Sequence, residues 1–192
     1  MKRKKFKAVA LAHLDQETID QIRIWRNQDF VRLQSLRQEI IDEATHQKWV
    51  EQLKGDENRH LFVCYLDDEP LGVIQLNYDP DTDMVESGEY LVSEDFQACG
   101  YGTILQFFEG AIIYEVLNYN RSCGVVLMTN TKNVRLQNRK SSVQEVNVHI
   151  KVGDADREIM RVSMTKEDFV RDKEKTLKLV SHFVDPDIEV IL

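Results

Sequence analysis

The spacing of apolar residues changes period several times along the chain, and each change marks an element. An apolar run, Ala8-Val9-Ala10-Leu11, reads as a strand. Asp15 then stands where a helix N-cap belongs, and Ile19, Ile22 and Trp25 recur behind it at helical spacing as far as Arg26. A second helix is predicted from Asp42 to near Gly55, with His46, Trp49, Val50 and Leu53 on one face. The period then shortens. Residues 61–66 and 71–76 read as two strands of a hairpin around Asp67-Asp68-Glu69-Pro70, and 84–92 as a third strand. After Gln97-Ala98-Cys99-Gly100-Tyr101-Gly102 comes a helix with Ile104, Leu105, Phe108, Ala111, Ile112 and Val116 on its apolar face. Residues 123–128 barely alternate, which predicts a buried strand. A helical segment at 131–140, a closing hairpin of 143–152 and 159–164, and a charged helix with a short tail over 166–192 complete the reading. No repeat or linker divides the 192 residues, a length that suits one domain.

The glycine stretch carries the first chemistry. A strand ending in a tight loop that feeds a helix leaves several backbone N–H groups unpaired, at the positive end of the helix dipole. Such a place suits an anion, and glycines let phosphate oxygens approach the main chain. The alternative is that Gly100 and Gly102 only permit the turn. Neither the Rossmann fingerprint nor the P-loop is present, since Gly-x-Gly-x-x-Gly and Gly-Lys-Ser/Thr are missing.

Gln-x-x-Gly-x-Gly, placed between the third strand of a hairpin-built sheet and a long helix, is similar to the acetyl-CoA pyrophosphate loop of the GNAT superfamily of N-acetyltransferases. The resemblance runs from about residue 6 to 164. It implies an α/β (α+β) fold, with a mixed, mostly antiparallel central sheet flanked by helices. The acetyltransferase domain would span 1–165, with 166–192 a helical extension and tail packed on it. Ile24-Trp25-Arg26-Asn27, the segment from His46 to Leu53, Leu71-Gly72-Val73-Ile74 and Glu115-Val116-Leu117 resemble the amino-sugar N-acetyltransferases of pseudaminic-acid biosynthesis. Those enzymes acetylate a 4-amino group on a UDP-linked deoxy sugar. A second branch, which acetylates the N-termini of ribosomal proteins, shares the Trp-Arg-Asn start and the Gly-Tyr-Gly loop; the short helix carrying His46 fits the first branch better.

The resemblance implies direct attack of an amine on the thioester of acetyl-CoA, with no covalent enzyme intermediate. Accordingly the sequence offers no Gly-x-Ser-x-Gly elbow and no persuasive Cys/His pair. By the same resemblance, a bulge splays the third strand. Main-chain groups near Leu91 and Val92 would bond the pantetheine arm and acetyl oxygen. Gln97, Ala98, Cys99, Gly100, Tyr101 and Gly102 would hold the pyrophosphate, and Asn130 and Asn133 would also serve the cofactor. Candidates for acid–base work are Glu89 and Tyr90, with Glu86 beside them and His46 facing the acceptor. Side chains alternate along a strand, so Glu86 and Glu89 share one site only across a bulge. Arg26 and Asn27 are candidates for binding the acceptor, a guanidinium suiting phosphate or sugar hydroxyls; the rival role for Arg26 is to meet the helix dipole. One departure stands out. Gln137 occupies the position of the tyrosine that protonates the coenzyme A thiolate in the family, and Ser141-Ser142 replaces its Gly-Phe pair. That leaves a non-catalytic acyl-CoA-binding domain as a further alternative.

Composition narrows the partners. Lys+Arg 25 against Asp+Glu 33 gives a net charge of −8, which argues against nucleic acid. No apolar run approaches the roughly 18–20 residues of a membrane span. The basic start, Met1 to Lys7, reads as a solvated, frayed end without a signal-peptide pattern, so the expected compartment is the cytoplasm. Cys64, Cys99 and Cys123 are widely spaced, and no metal or disulfide framework is expected. The expected partner is a small-molecule amine acceptor, with the chain a monomer or homodimer.

Overall fold

The computed structural model describes residues 3–192. Its first strand, β1 (Lys4–Ala10), takes in most of the basic start, because Phe6 and Ala8 alternate onto a buried face. Lys4 to Lys7 are therefore strand residues with Phe6 in the core, not a frayed end; Met1 and Lys2 lie outside the described residues. The two helix starts fall where the caps predicted them. The Asp15 carboxylate accepts from the Thr18 N–H at 2.8 Å and opens α1 (Gln16–Asn27). Asp42 accepts from the Thr45 N–H at 2.8 Å and opens α3 (Glu43–Lys54). Between them lies a single turn, α2 (Asp29–Arg32), which the hydrophobic pattern did not announce.

The hairpin of β2 (Arg59–Leu66) and β3 (Glu69–Asp79) closes more tightly than expected. Asp67 takes a left-handed conformation, φ 56°, so that Glu69 and Pro70 already pair with β2. β4 (Met84–Leu91) returns along β3, and a loop leads into α4 (Tyr101–Ala111), which runs on through a π-type turn to Val116. Then follow β5 (Arg121–Leu127), α5 (Thr131–Gln137), β6 (Val143–Val152), β7 (Ala155–Thr165) and α6 (Lys166–Val180). The tail is itself a strand, β8 (Val184–Ile191), which pairs parallel with β1 and covers that edge of the sheet.

One eight-stranded sheet results, in the order β6-β7-β5-β4-β3-β2-β1-β8. Only β4–β5 and β1–β8 are parallel, so the sheet is mixed and mostly antiparallel, as expected. Helices cover both faces. Phe6, Phe62, Ile74 and Val85 meet Leu105, Phe108 and Ile112 of α4 and Phe169 of α6, with Phe6 and Phe108 stacked at 3.8 Å between centroids. On the other face Val63, Val73 and Val92 meet Ile19 and Ile22 of α1 and Val50 and Leu53 of α3.

A short pairing inside this sheet positions everything that follows. β4 and β5 are joined only at Val85–Ser122 and Glu86–Cys123. Beyond that point β4 stays with β3 while β5 stays with β7, so the two strands part and a cleft opens between them. The expected bulge is not the cause. The β3–β4 register runs unshifted from Gly72–Leu91 to Asp79–Met84, and the divergence arises wholly at the β4–β5 seam. Leaving β5 one open edge also explains why it is half-buried rather than fully buried.

Gly72 sets how closely α4 lies on this part of the sheet. A Cβ there would sit 2.5 Å from Leu105 Cδ2 and 2.7 Å from the Tyr90 carbonyl oxygen, and the latter is main chain that cannot swing aside. Gly72→Ala is expected to destabilise the fold by about 1–3 kcal/mol through overpacking, read as a lower denaturation midpoint with unchanged slope.

Candidate active site

The loop before α4 is shaped by two left-handed residues. Gln97 N–H bonds to Glu94 O at 2.9 Å and closes a short turn; Ala98 at φ 61° and Gly100 at φ 87° then redirect the chain into the helix. The first amide to bond back is that of Ile104, to Gly100 O at 3.1 Å. The N–H groups of Tyr101, Gly102 and Thr103 are consequently the free donors of the helix start, aimed out of the N-terminus along its dipole. Gly100 is required by its backbone angle. Gly102 is different: a Cβ there would meet no atom within 4 Å, so the fold itself does not demand glycine. Its bare backbone leaves room for something outside the protein. Cys99 is exposed, its Sγ 3.8 Å from Asp95 O. Gln97 accepts at 2.6 Å from Lys132 Nζ at the start of α5. Lys132 thus brings a cation to this loop from across the cleft, a contact that sequence spacing did not reveal.

Along the cleft, β4 offers main chain. Val92 N–H bonds to Leu71 O at 3.1 Å, which makes 92–71 a hydrogen-bonded pair, and by alternation also 90–73 and 88–75. The N–H and C=O groups of Leu91 and Glu89 therefore point to the opposite edge, into the gap that β5 has vacated. Val92 is not available as expected. Its N–H is held by Leu71 and its carbonyl accepts from Gln28 Nε2 at 2.9 Å, so the cleft-facing pair is Glu89 and Leu91.

The side chains of β4 divide between the two faces. Glu89 turns toward α4 and accepts from Gln106 Nε2 at 2.7 Å. Gln106 also reaches Asn133 Oδ1 at 3.2 Å, to which Gln137 Nε2 donates at 3.1 Å. Asn130 spends its side chain capping α5, its Oδ1 accepting from the Asn133 N–H at 3.2 Å. Glu109, one turn beyond Gln106 on α4, is buried against Glu89 and Ser87. Burial, and next to it the Glu89 carboxylate, hold the Glu109 carboxyl well above the usual range. Gln106 and Glu109 went unnoticed in the sequence, although two polar residues three apart on an apolar helix were a visible signal.

Tyr90 lies on the opposite face, so it and Glu89 do not converge on one point. Burial raises the Tyr90 phenol, and Arg26 is its charged neighbour. Arg26 Nη2 donates to Arg37 O at 2.9 Å, while its buried Nη1 has no acceptor among the described residues. Asn27 is a clasp. Its amide donates to Ile41 O at 2.8 Å and its oxygen accepts from the Ile41 N–H at 2.9 Å, pinning the loop between α2 and α3. One N–H and one lone pair of that side chain are thus spent on the main chain of Ile41, a structural task that the sequence did not show. His46 packs between α3 and α1, with Trp49, Arg23 and Asp20 around it, and burial lowers its pKa. Nothing brings its ring to Glu89. Ser141, in place of the expected glycine, gives both its N–H and Oγ to Asp172 of α6, each at 2.6 Å, and so anchors the start of the closing hairpin. Among the described residues no cluster of His, Cys, Asp and Glu could hold a metal ion, and no helix is long and apolar enough to cross a membrane.

The arrangement fits a long thioester cofactor: helix-start amides and Lys132 for a diphosphate, then a strand edge for amide groups along the cleft. Solved structures agree on the architecture. The N-acetyltransferase PseH of Campylobacter jejuni is 20% identical with a TM-score of 0.61, over 83% of this chain and 97% of that one. The spermidine N-acetyltransferase of Vibrio cholerae, solved with CoA and spermine, is 14% identical with a TM-score of 0.73, over 86% and 98%. The aminoglycoside acetyltransferase AAC(6')-Ib, solved with coenzyme A, is 13% identical with a TM-score of 0.66, over 87% and 98%. No curated protein matches the chain. The profile of the acetyltransferase (GNAT) family matches residues 19–137, more than half of the chain, so this protein belongs to that family of acetyl-CoA-dependent N-acetyltransferases.

Proposed function

We propose that this acetyltransferase acts on the primary amine of a nucleotide-linked amino sugar. The observation that carries the reading is the Arg26 guanidinium, half-buried beside Tyr90 with one N–H face unmatched. A phosphate or ring hydroxyl supplies the missing oxygen, whereas a polyamine sets like charge against it. The likeness of the His46 helix to the amino-sugar branch supports the same acceptor.

In this reading the diphosphate of acetyl-CoA lies on the amides of Tyr101, Gly102 and Thr103, with Lys132 beside it. The pantetheine arm runs along β4 as an added strand, its amides exchanging hydrogen bonds with Glu89 and Leu91. Its thioester then reaches the point where the sheet has parted, and the acceptor comes from the Arg26 and Tyr90 side. The amine attacks the carbonyl carbon directly. Holding the two reactants in register supplies up to ~7–11 kcal/mol of the barrier reduction.

Mixed with acetyl-CoA and a UDP-linked 4-amino-4,6-dideoxy sugar, the enzyme is expected to release coenzyme A with kcat/KM at least ~100-fold above that for spermidine or a peptide N-terminus. Preference for peptide N-termini would select the ribosomal-protein reading instead. Gly102→Asp separates the cofactor site from the fold. No atom obstructs the new side chain, and a carboxylate suits a helix start, so thermal stability should hold. Facing a diphosphate it is repulsive, and calorimetry should find affinity for coenzyme A at least ~10-fold weaker. Unchanged affinity would move the phosphates elsewhere.

A further inference from the structure

The polar cluster under the cleft has more acceptors than donors. Gln106, Glu109 and Gln137 are all more than nine-tenths buried, at 7%, 8% and 7% exposure. One side-chain oxygen of each lacks a partner among the described residues, and all three side chains join one network through Asn133, Glu89 and Ser87. Gln137, standing where the family has its proton-donating tyrosine, has no acidic proton to give. Yet the same cluster contains two carboxyls in contact, and such a pair cannot both ionise cheaply in a buried place. It retains a proton.

We infer that Glu109 is a positioning residue: through its hydrogen-bonded contact with Glu89 it lets Glu89 deliver a proton to the departing coenzyme A sulfur. The inference rests on the proposed course of the pantetheine arm along β4. Glu89 is the half-buried member whose main chain faces the cleft, while Glu109 lies behind it and does not touch the substrate. The balance is simple. A C–N bond forms between the amine and the acetyl carbon, and the C–S bond breaks with its electron pair left on sulfur. The proton held by Glu109 passes by way of the Glu89 carboxylate to sulfur, giving the free thiol. The amine loses one proton to solvent, and solvent restores one to the pair.

The groups facing Glu109 are consistent with this role. Glu89 and Ser87 approach from β4, Cys64 from β2, Tyr114 from the next turn of its own helix, and Lys140 from beyond α5. Burial keeps Cys64 and Tyr114 protonated and uncharged; Lys140 opposes retention of the proton, and burial together with Glu89 outweighs it. The Glu109 pKa is raised on folding. Its contribution to stability is therefore full below the ordinary carboxylate range and is lost as pH rises through the folded value.

The test compares the unmodified chain with Glu109→Gln and Glu109→Asp. Glu109→Gln is nearly isosteric and should fold, with a stability advantage that grows toward alkaline pH. Its kcat at neutral pH should nevertheless fall at least ~100-fold with little change in KM for acetyl-CoA, and the alkaline limb of the kcat–pH profile should disappear. Glu109→Asp, which keeps an ionisable group, should retain that limb and part of the rate. A purely structural Glu109 would leave limb and kcat unchanged in Glu109→Gln, and that result overturns the inference. Infrared spectra of the unloaded enzyme provide a readout independent of turnover. A protonated-carboxyl band that persists at neutral pH and vanishes in Glu109→Gln supports the shared proton; its absence from the unmodified chain overturns it. Failure of the unmodified chain to turn over any sugar amine would instead count against the proposed acceptor, with the infrared band still deciding the question of the pair.

Discussion

The cleft in this sheet follows from where β4 and β5 stop pairing. Two rungs hold the eight strands in one sheet; pairing continued as far as Leu91 would close the cleft and satisfy the amides of Glu89 and Leu91 internally. Parallel strands are usually zipped along their length, because an exposed strand edge in a half-buried setting leaves polar groups poorly satisfied. In the proposed course of the pantetheine arm, that deficiency is met by a substrate that carries amides of its own, and affinity would come from the same hydrogen bonds that elsewhere hold sheets together.

The parted strands have to be kept apart, and the contacts that do so are polar. Lys132 reaches across from α5 to Gln97, and Gln106 joins Glu89 on β4 to Asn133 on α5. An apolar filling would bury more cheaply, since each unmatched buried oxygen carries a desolvation penalty of ~1–3 kcal/mol. A polar one fixes distances and directions that a greasy contact leaves adjustable. The cluster between α4 and β4 thus ties the two sides of the cleft together, and the proton inferred at Glu109 would lie within it.

Residues differed in how plainly they announced themselves. Asp15 and Asp42 marked their helices because capping is a local bond, made within three residues of the same segment. The glycine loop was legible for the same reason, its strand-turn-helix order being written in consecutive residues. Asn27 was less plain: an amide after a Trp-Arg pair looks like a ligand for substrate, and only the arrival of Ile41 from beyond α2 shows that it is a clasp as well. His46 was on the face expected, but a helix face does not say which neighbour it meets, and it meets α1. The tail was hardest. Asp185-Pro186-Asp187 breaks the alternation that signals a strand, and β8 forms because β1 offers it an edge, not because its own residues insist. Gln106 and Glu109 could have been suspected, since polar residues inside the most apolar helix seldom lie there without a task.

The parallel pairing of β1 with β8 bears on how the molecule assembles. Segments near opposite ends of the sequence must meet before that flank of the sheet is complete, and closing so large a loop is entropically slow. The hairpins from β2 to β4 and from β6 to β7 need only local encounters. Assembly should therefore begin on the two sides of the cleft separately, with the β1–β8 flank added late. Loss of that pairing would uncover the edge of β1 while the hairpins on either side of the cleft stayed paired.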